Sequence, residues 1–123
     1  YINNMGETLY TKVGGKESVT ELVDKLYSKI LKSPITSPQF EGRDVDHIKA
    51  MQVEFFSNAM GAPEPYTGMG MKEVHTGLNI TDEQFNAVAS YLEDSMKEMG
   101  MEDSDISTVM NMASGLKDQI VGL

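Results

Sequence analysis

The sequence contains no cysteine, only two histidines, ten basic residues against nineteen acidic ones, and no apolar run of membrane-spanning length. Absence of cysteine excludes disulfides, thiolate metal sites and thiol catalysis, and it fits a reducing cytoplasm, where the protein is expected. A net charge of −9 over 123 residues argues against a nucleic-acid partner, because phosphate recognition needs a basic footprint. Tyr1 to Gly6 lacks a basic start followed by an apolar stretch, so no secretion signal is expected.

Several catalytic signatures are missing too. Asp44-Val-Asp46 begins like a calcium loop, but Lys49 and Phe55 stand where such a loop needs glycine and a bidentate glutamate. His47 and His75 are too far apart, and in the wrong context, for the paired-histidine pattern of zinc hydrolases. No serine-nucleophile or phosphate-loop motif is present. With little chemistry of its own, the chain reads as the host of a borrowed cofactor.

What is present is helical periodicity, in one domain of ordinary size. After a short turn over Thr8 to Val13, Gly14-Gly15 supplies a corner. From Ser18, the residues Val19, Leu22, Val23, Leu26, Tyr27, Ile30 and Leu31 form a helical stripe, which Ser33-Pro34 ends. A second helix from about Asp46 to Met60 turns Ile48, Met51, Phe55, Phe56 and Ala59 inward, with Gln52 on the same face. Thr81 and Gln84 form a capping box that opens a helix carrying Phe85, Val88, Ala89, Leu92, Met96 and Met99, with Gly100 as its stop. The last helix starts near Ser104 and buries Ile106, Val109, Met110, Ala113, Leu116 and Ile120. No alternating apolar run predicts a strand, so the fold class is all-α. Ten methionines are expected to fill irregular spaces in the core.

Three polar residues break this pattern. His75 ends Met69-Gly-Met-Lys-Glu-Val-His75, a short segment between a loop rich in glycine and proline and the capped helix. Such a histidine is either a metal ligand or a half-buried, hydrogen-bonded side chain. Tyr27 and Gln52 lie on the apolar faces of the first two long helices, so packing those helices aims a phenol and an amide at one interior space. They either bond each other or wait for a polar ligand.

The motifs Leu9-Tyr-Thr-Lys-Val-Gly-Gly15, Leu26-Tyr27, Phe40, Gln52-Val-Glu-Phe-Phe56, Pro63-Glu-Pro-Tyr-Thr-Gly68 and Met71-Lys-Glu-Val-His75 together resemble the truncated haemoglobins, the two-on-two globins of group I. The resemblance covers Leu9 to about Leu123. It implies an N-terminal extension over residues 1–7 and, over 8–123, a two-on-two helical sandwich around haem b. By the same resemblance His75 is the proximal iron ligand, and Tyr27 and Gln52 are the distal pair that hydrogen-bonds a bound gas. Ile48 takes the usual place of a distal histidine, Phe40 packs on the porphyrin, and Phe55, Phe56, Lys49, Met71 and Lys72 complete the cofactor contacts. His47, about 100° around its helix from Ile48, is expected at the haem edge or in solvent.

Two departures from the family pattern stand out. Gly61-Ala62 replaces a second glycine pair, a mild change if Ala62 avoids positive φ. Met51 stands where the family often has a basic residue meeting a haem propionate, which leaves Arg43, Lys49, His47 or Lys72 for that contact.

The functional expectation is a monomeric haem protein that binds O2, CO and NO and converts O2 and NO to nitrate, given an external electron donor. A carrier or gas sensor without turnover is the second reading. A cofactor-free acidic interaction module with an adaptable methionine-rich surface is the third.

Overall fold

The computed structural model describes residues 8–64, 66, 68 and 70–122. The expected extension over residues 1–7 lies outside the described residues, as do Pro65 and Thr67 of the loop motif, Met69 and Leu123. Six α-helices follow in order: α1 Leu9–Val13, α2 Gly15–Lys32, α3 Val45–Ala59, α4 Met71–His75, α5 Asp82–Glu98 and α6 Asp103–Ser114. Single 3-10 turns occupy Ser37–Phe40 and Lys117–Gln119. Among the described residues there is no strand, only an isolated parallel bridge between Ile80 and Val121.

Thr8 caps α1 by accepting from the Thr11 amide at 3.2 Å. Gly14 then takes φ 116°, and a Cβ there would collide with Ser18 Oγ, so the corner between α1 and α2 requires glycine. Helix α2 begins at Gly15, three residues before the expected Ser18 start. Its stripe buries Val19, Leu22, Val23, Leu26, Tyr27 and Ile30. Leu31, expected inside with them, is 43% exposed, because one further residue turns the side chain about 100° away from Ile30. Ser33 is extended, as a residue before proline prefers, and ends the helix.

Helix α2 packs on both α3 and α5, and α5 packs on α6, giving two helix pairs, α2 with α3 and α5 with α6. The all-α expectation holds. Leu22, Ile30, Met60, Met96 and Val109 are among the side chains fully closed off from water in the core. Met99, Met101, Met110 and Met112 pack half-buried against that core, consistent with methionine as a filler of irregular space.

The capping box of α5 forms in both directions, with Thr81 Oγ1 accepting from the Gln84 amide at 3.1 Å and Gln84 Oε1 accepting from the Thr81 amide at 3.0 Å. Helix α6 stops at Ser114, short of the expected stripe. Gly115 interrupts it, so Leu116 and Ile120 leave the helix and flank the following 3-10 turn. That segment is tied to the chain after His75 by Gly122 N–H donating to the Ile80 carbonyl at 2.9 Å. Gly61 takes φ 101°, whereas Ala62 has no positive φ and is buried, so its replacement of a glycine is accommodated without strain.

Helix α3 differs from the other long helices. Asp44 caps it by accepting from the His47 amide at 3.1 Å, yet none of its residues is fully buried. Part of its apolar face packs on the core, through Val45, Val53 and Phe56, and the rest looks into a cavity.

Candidate functional site

The cavity has a volume of about 610 Å³ and lies between the helix pairs. Cavities of roughly 300–1,000 Å³ suit an organic ligand. Leu26, Ile30, Ile48, Phe55, Phe56, Val88, Leu92 and Val109 make most of its wall apolar. Phe40 enters from the 3-10 turn with its ring edge-on to Tyr27, centroids 5.6 Å apart. Phe55 stands edge-on to both Phe56 and Tyr66. Such edge contacts fix the ring planes that form the wall.

His75 also lines this cavity, on the single turn of α4. The helix places Met71 one turn before His75, so that His75 Nδ1 lies 2.7 Å from the Met71 carbonyl. A carbonyl only accepts, so Nδ1 carries the proton, and in the neutral ring the lone pair is then on Nε2. Nε2 has no hydrogen-bond partner among the described residues. That is the arrangement of an imidazole prepared as a metal ligand, with its second nitrogen fixed by a backbone carbonyl. No group of three or more His, Asp or Glu side chains that could hold a metal ion occurs among the described residues. One imidazole holds a metal well only if a cofactor supplies the other ligands.

Tyr27 is 5% exposed and lines the same cavity. Burial pushes its phenol pKa well above the ordinary value, so it stays a neutral hydrogen-bond donor. Gln52, half-buried on α3, lines the cavity as well. The two do not bond each other, and neither has a side-chain partner among the described residues. No side-chain polar atom among those residues is both sealed off and unpartnered, so the Tyr27 hydroxyl opens into the cavity. Two unsatisfied polar groups facing an apolar space suit a ligand that carries a polar end.

Of the further contacts expected from sequence, Phe40, Ile48, Phe55, Phe56 and Met71 line the cavity. Lys49 and Lys72 are not among its lining residues; Lys49 is drawn off by Asp24 of α2, 2.7 Å away. His47 and Met51 do not line it either, and His47 is exposed. Arg43 does line it. Sequence reasoning missed Gln39, Leu78, Ile80 and Gln84 as lining residues, and it assigned Leu116 and Ile120 to a helical core stripe. The apolar pair Leu78 and Ile80 just after His75 was the available signal for that part of the wall.

The residues thus fit a largely apolar cofactor with one metal centre. Comparison with known proteins bears on which one. The family model described as bacterial-like globin matches residues 8–121. A group 1 truncated haemoglobin of Mycolicibacterium paratuberculosis is 34% identical over 92% of this chain and 83% of its own length. The chain belongs to the truncated haemoglobins of group 1.

Other group 1 truncated haemoglobins show the same span, among them one from Tetrahymena pyriformis, 29% identical over 97% of this chain and 98% of its own. The crystal structure of the Fe(III) form of a truncated haemoglobin from Tetrahymena pyriformis superposes with a TM-score of 0.89 at 28% identity, covering 95% of this chain and all of that one. The 2/2 haemoglobin of Synechococcus, solved in the cyanomet state with covalently attached haem, gives a TM-score of 0.85 at 26% identity over 92% of this chain and 95% of that one. Truncated haemoglobins are haem-iron proteins that bind diatomic gases, so the fold is the two-on-two globin sandwich and the cofactor is haem. Family membership also sets aside the cofactor-free interaction module.

Proposed function

We propose that His75 is the iron ligand of this truncated haemoglobin and that Tyr27 and Gln52 act together on a bound gas, in the service of NO dioxygenation to nitrate. The observation that carries this reading is the free Tyr27 hydroxyl, opening into the cavity that His75 lines. When bound, haem supplies the iron that takes up a diatomic gas and shifts negative charge onto it. His75 Nε2 would be the protein's bond to that iron, and the Met71 carbonyl at Nδ1 holds the ring and raises its basicity. Tyr27 Oη–H donates to the charged end of the gas, a bond stronger than one between neutral groups. The Gln52 amide presents both donor and acceptor, and would orient the phenol or donate beside it. Phe40, Ile48 and Phe56 keep water away from these groups, which strengthens them in the low local dielectric.

Tight retention of O2 favours turnover with NO over transport. An external electron donor would restore the ferrous state after each cycle, the chain acting as a monomer over residues 8–123. Its cysteine-free composition is compatible with a reducing cytoplasm. The test mixes the oxygenated protein with NO. Prompt conversion to ferric haem with stoichiometric nitrate is expected, and survival of the oxygenated form would leave a carrier or gas sensor as the function.

A further inference from the structure

The cofactor brings two carboxylates into a protein of net charge −9, and only one basic side chain besides His75 lines the cavity. That residue is Arg43, the single arginine of the chain. Among the described residues, five of the nine lysines face acidic partners: Lys12 lies against Glu102 and Asp105, Lys25 and Lys29 against Glu98, Lys49 against Asp24, and Lys117 against Asp82. None of the nine lines the cavity.

The local structure prepares Arg43 for such a contact. Gly42 takes φ 73° and turns the chain after Phe40, and the Arg43 amide donates back to the Phe40 carbonyl at 3.2 Å. One tight turn therefore carries both an aromatic wall of the cavity and the cation at its edge. Arg43 Nε donates to the Gln39 carbonyl at 2.8 Å, which restrains the side chain and leaves both terminal amino groups without a partner among the described residues. Gln39 is in turn tied to α5, its Nε2 donating to Gln84 Oε1 at 3.4 Å. A restrained guanidinium with two free donors matches the planar, bidentate geometry of a carboxylate.

We infer that Arg43 anchors a haem carboxylate, a task that falls to this loop because α3 offers Met51 and a committed Lys49. The inference rests on the haem reading above. The experiment loads wild type, Arg43→Gln, Arg43→Lys and Lys72→Gln with ferric haem and follows haem transfer to an excess of a scavenging apoglobin. It is repeated at low and high salt and with haem esterified at both carboxylates. Arg43→Gln should lose haem about three- to five-fold faster than wild type, as for a partly exposed ion pair. High salt should shrink that difference, Arg43→Lys should recover part of it, and Lys72→Gln should match wild type. With the esterified cofactor, wild type and Arg43→Gln should release at the same rate, a result that a loop merely loosened by the substitution would not give. Equal release of ordinary haem by wild type and Arg43→Gln, or a difference that persists with the ester, would overturn the anchor. Failure of wild type to take up haem at all would instead overturn the haem reading.

Discussion

Tyr27 is held by two opposing effects. Its ring is buried and contributes to the core, yet its hydroxyl opens into the cavity without a hydrogen-bond partner among the described residues, so the polar group adds nothing to packing. A side chain kept for packing alone would be better as phenylalanine. Tyr27→Phe should therefore fold at least as well without cofactor but release O2 about ten-fold or more faster, since a hydrogen bond to a charged group is worth ~1.5–3 kcal/mol. Flash photolysis or stopped-flow displacement measures this directly, and an unchanged O2 dissociation rate would remove Tyr27 from its role. Tyr27 and Gln52 were legible in the sequence as polar residues inside apolar stripes. Their lack of a mutual bond was not, because the distance between side chains on two helices depends on how the helices cross and not on spacing within either one. The pairing of Lys49 with Asp24 was hidden for the same reason.

Among the elements, α3 shows most clearly what the cofactor contributes. Periodicity located it to within one residue at each end, but periodicity marks an apolar face without saying what covers that face. In α2 and α5 protein covers much of that face, and several residues there are fully buried even though both helices also lend side chains to the cavity wall. In α3 none is, while Ile48, Phe55, Phe56 and Ala59 look into the cavity. Removing haem should raise amide hydrogen exchange along α3 far more than along α2 or α5, and reconstitution should restore its protection. Equal protection of α3 with and without haem would contradict this. The end of α6 taught a related lesson: Leu116 and Ile120 continue its heptad-like spacing, yet Gly115 ends the helix and redirects them to the cavity wall. A spacing pattern persists through a break that a single glycine makes.

For the molecule as a whole, the exposed ion pairs joining its elements, such as Lys29 with Glu98 and Lys117 with Asp82, add little to stability. The fold is held by the apolar contacts of α2 with α3 and α5, and by whatever fills a cavity of about 610 Å³ at its centre. A ligand that binds a cavity of that size in the folded chain and not in the unfolded one stabilises the fold. The proposed function turns on one bond, the one His75 Nε2 would make to haem iron. The direct test is the visible absorption of the ferrous CO complex of wild type, His75→Gly, and His75→Gly with added imidazole. Wild type should show the bands of histidine-ligated haem, the variant should lose or shift them, and free imidazole should bring them back. Wild-type bands in His75→Gly without imidazole would show that another residue holds the iron.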